Sequence, residues 1–244
     1  RAVLTMKLPV FPAYYTLADK AGWWLLRGFA VAVLAYLLLP ILVIVPLSFS
    51  ASSFLSYPMP GWSLQWYENL FTSAEWGRAA KNSFIVAPAA TVIATVLGTL
   101  TALGLARVQF PAKRLLLSVL IPPMGVPLAV VGAARYPVFA QIGLSDSYTG
   151  LILVHAALGA PFVVTTVLAT LQGFNHNLVR ASLSLGASPL QAFLLSTLPV
   201  IAPGVISGAL FAFATSFDEV VVTLFLAGPT QVTLPRQMFT GSRE

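Results

Sequence analysis

Five stretches of about twenty or more residues run almost without charge, near 23–49, 82–106, 115–134, 149–171 and 201–227. A helix of that length crosses the ~30 Å hydrocarbon core of a bilayer. The chain is therefore expected to fold as an all-α, polytopic transmembrane helical bundle with five spans. Composition agrees: 58% of the 244 residues are hydrophobic and 8% charged, against roughly 45–50% and about 25% in soluble domains. The net charge of +6 could suggest nucleic acid, but the 13 Lys and Arg are scattered and form no run. They are better read as residues that orient the spans.

With the N-terminus inside, Arg1, Lys7, Lys20, Arg27, Arg107, Lys113, Arg114 and Arg180 fall on the inner side. Arg78, Lys81, Arg135, Arg236 and Arg243 fall outside. This bias favours a cytoplasmic N-terminus, and an odd number of spans then leaves the C-terminus outside. Lys7, Lys20 and Arg27 precede the first span as in a signal peptide, but its apolar run far exceeds a signal's roughly 7–15-residue core. A signal anchor is the alternative. Residues 228–244 read as a loop that leads onward, which suggests a sixth span in the full gene product.

Several chemistries lack their materials. The chain has no cysteine and two histidines, which excludes thiolate metal sites and cysteine nucleophiles and leaves little for a metal cluster. The Gly-Lys-Ser/Thr end of a phosphate-binding loop is absent, so ATP would be handled by another chain. Pro40, Pro46, Pro88, Pro122, Pro123, Pro127 and Pro161 lie in the spans. Each removes a backbone donor, and the freed carbonyl needs a partner in another helix or a wet cavity, which favours a bent-helix transporter or channel.

Residues 172–200, QGFNHNLVRASLSLGASPLQAFLLSTLPV, lie on the inner side between two spans. Asn175 or Asn177 can cap a short helix that Gly186 ends in a left-handed conformation. Ser188 then caps a second, with Pro189 at its first position and Gln191 completing the capping box; Pro199, after Leu198, is expected to end it. Leu178, Ala181 and Leu185 line one face of the first helix, and Leu190, Phe193, Leu194 and Thr197 one face of the second. Apolar faces on helices too short to span call for a partner's groove. The alternative, a hairpin lying on lipid headgroups, would want several basic residues where only Arg180 is present.

This stretch resembles the EAA loop of binding-protein-dependent ABC importer permeases of type I, the MetI-like fold. That pattern has Glu-Ala-Ala, a glycine six residues after the Glu, and Leu-Pro ending thirteen residues after that glycine. Here Gly186 lies six after Arg180, and Leu198-Pro199 ends thirteen after Gly186. The resemblance implies that Arg180, Ala181, Ser182, Gly186, Ala187, Ser188, Leu198 and Pro199 form the coupling loop that seats in a cleft of the ATPase. Three residues depart from the pattern: Arg180 replaces the Glu, Ser182 the second Ala, and Ser196 an expected Ile. A base in place of an acid implies a partner of different charge at that point.

The run 201–229, with Ser216-Phe217-Asp218-Glu219 followed by Val220-Val221, is similar to the fifth span of the polyamine, opine and phosphonate subfamily, which includes the spermidine/putrescine permeases. Segments 60–71 and 161–174 fit as well. The resemblance implies a single permease domain over 1–244 in the bacterial inner (plasma) membrane. It implies a second, different permease subunit, an ABC ATPase dimer carrying ATP and Mg, and an extracytoplasmic solute-binding protein. No cofactor would be bound by this chain, and nucleic acid would not be a partner.

Asp218 and Glu219 are the only carboxylates in an expected span. A charge at a helix centre costs about 2.5–3.5 kcal/mol on insertion scales, so these acids should face protein or water. Thr215, one of the two acids and Thr223 can form a polar stripe lining the translocation path, where a carboxylate would attract an amine-bearing solute. Successive residues differ by about 100° around a helix, so both acids cannot point at the path. The structural alternative is pairing with Arg135, Arg78 or Lys81, or capping a helix break. Gly204 and Gly208 suit close helix packing, which could involve the second permease. His155 is read as a hydrogen-bonded packing group and His176 as a loop residue.

The function implied is ATP-driven uptake of a small polar solute, with no reaction catalysed by the chain. An ion-coupled carrier or channel, and a membrane enzyme, are the alternatives. A carrier should show an internal repeat with paired broken helices around a midplane ion site, and an enzyme a nucleophile–base set or metal ligands; neither is found, and Ser188 is better used as a cap.

Overall fold

The structure, a computed structural model, describes residues 11–12, 14–54, 56–107, 115, 117–118 and 128–241. Half of the span expected at 115–134 lies outside them, as do Arg1, Lys7, Lys113, Arg114, Arg243, Pro122, Pro123, Pro127 and the side chains of Arg107 and Arg135. The chain divides into a unit that ends at Thr72 and one that begins at Ser73.

In the first unit a capping box sets the start of α1 (Leu17–Leu47), six residues before the apolar run. Thr16 Oγ1 accepts from the Asp19 N–H and the Asp19 carboxylate accepts from the Thr16 N–H, satisfying donors that a helix start leaves free. Leu26, Phe29, Tyr36 and Leu42 are all exposed, on different sides of the helix. A helix apolar all round belongs in lipid. The chain then folds back on itself: Ser50 and Trp62 form an antiparallel bridge, and Trp66 Nε1 donates to the Ser50 carbonyl at 2.8 Å. The short α2 (Gln65–Thr72) follows.

The second unit contains α3 (Ala74–Arg107), α4 (Leu128–Gln141), α5 (Tyr148–Leu171), α6 (Asn177–Ser184), α7 (Pro189–Phe217), α8 (Val221–Leu226) and α9 (Leu234–Gly241). Among the described residues, α1, α3, α5 and α7 are long and apolar enough to cross a membrane. Three expectations change. The span expected at 201–227 is broken at 218–220, so α7 and α8 are separate helices. The segment expected to be a loop, 228–244, carries α9, packed on α3.

The third change concerns Pro199, which does not end a helix. Residues 189–217 form one helix that passes through Pro199 by way of a π turn over Phe193–Thr197, where the Leu198 N–H bonds the Phe193 carbonyl five residues back. Pro199 has no N–H for the Leu195 carbonyl and its ring would crowd it; widening the turn just before it relieves that clash.

The core lies where α3, α5 and α7 meet, and small residues let them approach: Ala90, Ala94, Ala102, Ala156 and Ala212 are buried beside Val163, Val167 and Ile201. Apolar side chains gain little by leaving lipid for protein, so close backbone packing carries much of the association. A Cβ on Gly208 would sit 2.7 Å from Val163 Cα, and one on Gly204 would sit 2.6 Å from Thr170 Oγ1. These two glycines therefore serve the α5–α7 contact within the chain rather than a second permease. A Gly208→Ala variant is expected to destabilise the protein by about 1–3 kcal/mol, measured as a lower melting temperature in detergent. Gly104→Ala, with nothing within 4 Å, serves as the neutral control.

Candidate functional site

Local caps build the elbow between α6 and α7. Asn175, not Asn177, supplies the side chain at the start of α6: its Oδ1 accepts from the Asn177 N–H at 3.0 Å. Gly186 turns the chain with φ +89°, a conformation that a Cβ disfavours. Ser188 Oγ accepts from the Gln191 N–H while Gln191 Oε1 accepts from the Ser188 N–H at 2.8 Å, and Pro189 occupies the first turn. Arg180, Ala181, Gly186, Ser188 and Pro199 are exposed, and Ser182, Ala187 and Leu198 half-buried.

The apolar faces are rotated from those expected. Leu178, Leu185, Leu190 and Leu194 face outward as anticipated, joined by Leu183 and Leu195; Leu185 is 89% exposed. Phe193 instead packs on the core and Thr197 is buried. The π turn moves them inward, which a regular 3.6-residue period does not anticipate.

The second candidate site is the break between α7 and α8. Asp218 ends α7 and its side chain is exposed, whereas Glu219 is buried. Glu219 Oε1 accepts from the Val222 N–H at 2.8 Å, capping the start of α8. Of the two acids, Glu219 takes the helix-break role. At the other end of α8, the Arg236 guanidinium donates to the Ala227 carbonyl, which follows the helix end, and also to the Thr223 carbonyl, which already accepts the Ala227 N–H. Thr215 is half-buried and Thr223 fully buried, so the expected polar stripe of Thr215, one acid and Thr223 does not run along a single helix face.

His155, buried on α5, holds the break from the side. Its Nδ1 lies 2.8 Å from Ser216 Oγ on α7 and its Nε2 3.3 Å from Thr223 Oγ1 on α8. Thr223 gives its own proton to the Glu219 carbonyl, so the arrangement that satisfies every atom has Nε2–H donating to Thr223 and Ser216 donating to Nδ1. His155 is thus the hydrogen-bonded packing group anticipated, and its partner Ser216 had gone unnoticed.

Asn82 on α3 was also missed. Its Nδ2 donates to the carbonyls of Thr230 and Val232 and its Oδ1 accepts from Tyr148, tying the segment before α9 to α3 and α5. The available signal was an Asn-Ser pair, 82–83, opening an apolar run; Ser83 Oγ accepts from the Leu234 N–H at 2.8 Å.

Known proteins share both sites' frame. The family model described as "Binding-protein-dependent transport system inner membrane component" matches residues 94–242, from α3 through the elbow and the break. The chain belongs to this family. The permease is similar to "Spermidine/putrescine transport system permease protein PotC" of Haemophilus influenzae, 34% identical over 89% of this chain and 84% of that protein. It is 30% identical to "Putrescine transport system permease protein PotI" of Escherichia coli strain K12, over 90% of this chain and 78% of that one. "Trehalose transport system permease protein SugB" of Mycobacterium tuberculosis is also 30% identical, over 93% and 84%.

Among solved structures, a chain from "Crystal structure of a bacterial ABC transporter involved in the import of the acidic polysaccharide alginate" superposes with a TM-score of 0.71 over 94% of this chain and 81% of that one, at 14% identity, which establishes the fold. The permease is therefore the membrane-spanning component of an ABC importer, all-helical and multi-pass in the inner membrane.

Replacing His155 by Leu keeps a similar bulk but strands the Ser216 hydroxyl and removes the donor to Thr223 Oγ1. The expected loss is about 1–3 kcal/mol, seen as a lower melting temperature of the purified permease complex. A variant as stable as wild type would show that the break holds its shape without this histidine.

Proposed function

We propose that the permease passes an amine-bearing solute of the polyamine type, received from an extracytoplasmic binding protein. In this reading the exposed leucines of α6 and of the head of α7 seat in a cleft of an ABC ATPase dimer. ATP and Mg are held on that ATPase, and the permease itself binds no cofactor and catalyses no reaction. A second, different permease completes the pathway, and the N-terminus is cytoplasmic. The domain is a single permease domain over residues 1–244, and its path is lined near Thr215 and Asp218.

The observation that carries the solute class is the division of labour at the break. Glu219 spends its carboxylate on the α8 cap, while Asp218 stays exposed beside it. A free carboxylate attracts an ammonium and repels the acidic groups of opines and phosphonates. The names of PotC and PotI support the same class.

Asp218→Asn is expected to raise the apparent KM for spermidine or putrescine uptake roughly tenfold, the worth of one charge-assisted contact. Glu219→Gln keeps an oxygen for the Val222 N–H and should leave KM within about twofold. Uptake with unchanged apparent affinity in both variants would count against contact with the solute. Purification in mild detergent should bring down an ATPase and a second permease, whereas a lone homo-oligomer would overturn the assembly. If Arg180 meets the ATPase, Arg180→Glu weakens that co-purification; unchanged association and transport would remove Arg180 from the mechanism.

A further inference from the structure

Two of the residues that depart from the family pattern, Ser182 and Ser196, are bonded to each other. Their Oγ atoms lie 2.7 Å apart across the elbow, both side chains half-buried. Ser182 gives its proton to the Leu178 carbonyl at 2.9 Å, so Ser196 is the donor and Ser182 the acceptor. Among the described residues this is the one side-chain hydrogen bond between α6 and α7. Ser196 sits within the π turn. An Ala and an Ile in these positions would leave an apolar contact with no fixed direction; a hydrogen bond is directional and sets the angle between the two helices.

We propose that Ser182 and Ser196 act as a clasp that locks the elbow, so that α6 and α7 move as one body when the ATPase closes. The two are positioning residues: they act through the exposed leucines of α6 and α7 rather than on solute. The inference rests on the ATPase-docking reading of the elbow. Without the clasp, some of the motion imposed on α6 would be lost in bending at Gly186, and ATP would be hydrolysed with less solute moved.

The test uses the complete importer, with its ATPase, second permease and binding protein, in proteoliposomes supplied with spermidine. Ser182→Ala and Ser196→Ala are expected to raise the ATP hydrolysed per solute imported about threefold to tenfold, the range for one net hydrogen bond, and Ser196→Ala, outside the docking loop's named residues, does so with ATPase co-purification unchanged. Ser196→Thr, which keeps the hydroxyl, should restore the ratio.

The chain has no cysteine of its own, so a Ser182→Cys, Ser196→Cys pair gives a single possible cross-link within it. Oxidised, that pair should import with the wild-type ratio; reduced, it should behave like the alanine variants. An unchanged ratio in the alanine variants, arrested import in the oxidised pair, or failure of the pair to cross-link would each overturn the clasp. Absence of an ATPase from the wild-type preparation would instead overturn the docking reading beneath it.

Discussion

A backbone group in hydrocarbon has no water to turn to, and the break at residues 218–220 is shaped by that constraint. Ending α7 and starting α8 leaves amides and carbonyls without helical partners. Three side chains from different parts of the chain serve the break: Glu219 in the break itself accepts from the Val222 N–H, Arg236 on α9 donates to the Ala227 carbonyl, and Thr223, held by His155 of α5, donates to the Glu219 carbonyl. The buried Glu219 carboxylate and the half-buried Arg236 guanidinium serve as end-pieces of a helix six residues long. With those donors and acceptors occupied, Asp218 has no structural duty and its carboxylate stays open.

The same economy appears in the core. In lipid, an apolar side chain gains little by moving from acyl chains to protein, so helices hold together by close approach. The contacts of Gly208 with Val163 and Gly159 with Ala212 are of this kind, and the bulky residues Leu210 and Phe211 are left on the exposed side. The threonines of α5 fit this scheme, since Thr166 and Thr170 return their hydroxyl protons to carbonyls of their own helix and lie directly against Gly208 and Gly204 of α7.

What could be read from the residues alone was what local chemistry decides. The capping box at Ser188 and Gln191, the positive φ of Gly186 and the existence of four of the spans each depend on a few neighbours or on one apolar run. Pro199 was misread because a proline stops a helix only where the chain has somewhere else to go; here Leu198 and Ile201 are held in the core, and a widened turn costs less than leaving it. The roles of Asp218 and Glu219 were not separable from spacing. Glu219 is the acid that caps α8, and the helix break that this cap serves is held from the side by His155, 61 residues before Ser216 and 68 before Thr223. Asn82 has its partners 66, 148 and 150 residues away, beyond the reach of any pattern in a window.

The uninterrupted course of α7 has a mechanical consequence. From Pro189 to Phe217 it is 29 residues long, with the outward leucines at one end and Asp218 just past the other. At 1.5 Å per residue that is a rod of ~43 Å, and a tilt of about 10° about its foot carries the far end through roughly 7 Å. That displacement is comparable to the width of a linear alkylamine. In the proposed coupling, a small angular change at the leucines would reach the carboxylate as a displacement of that size, with no relay of side chains needed between them.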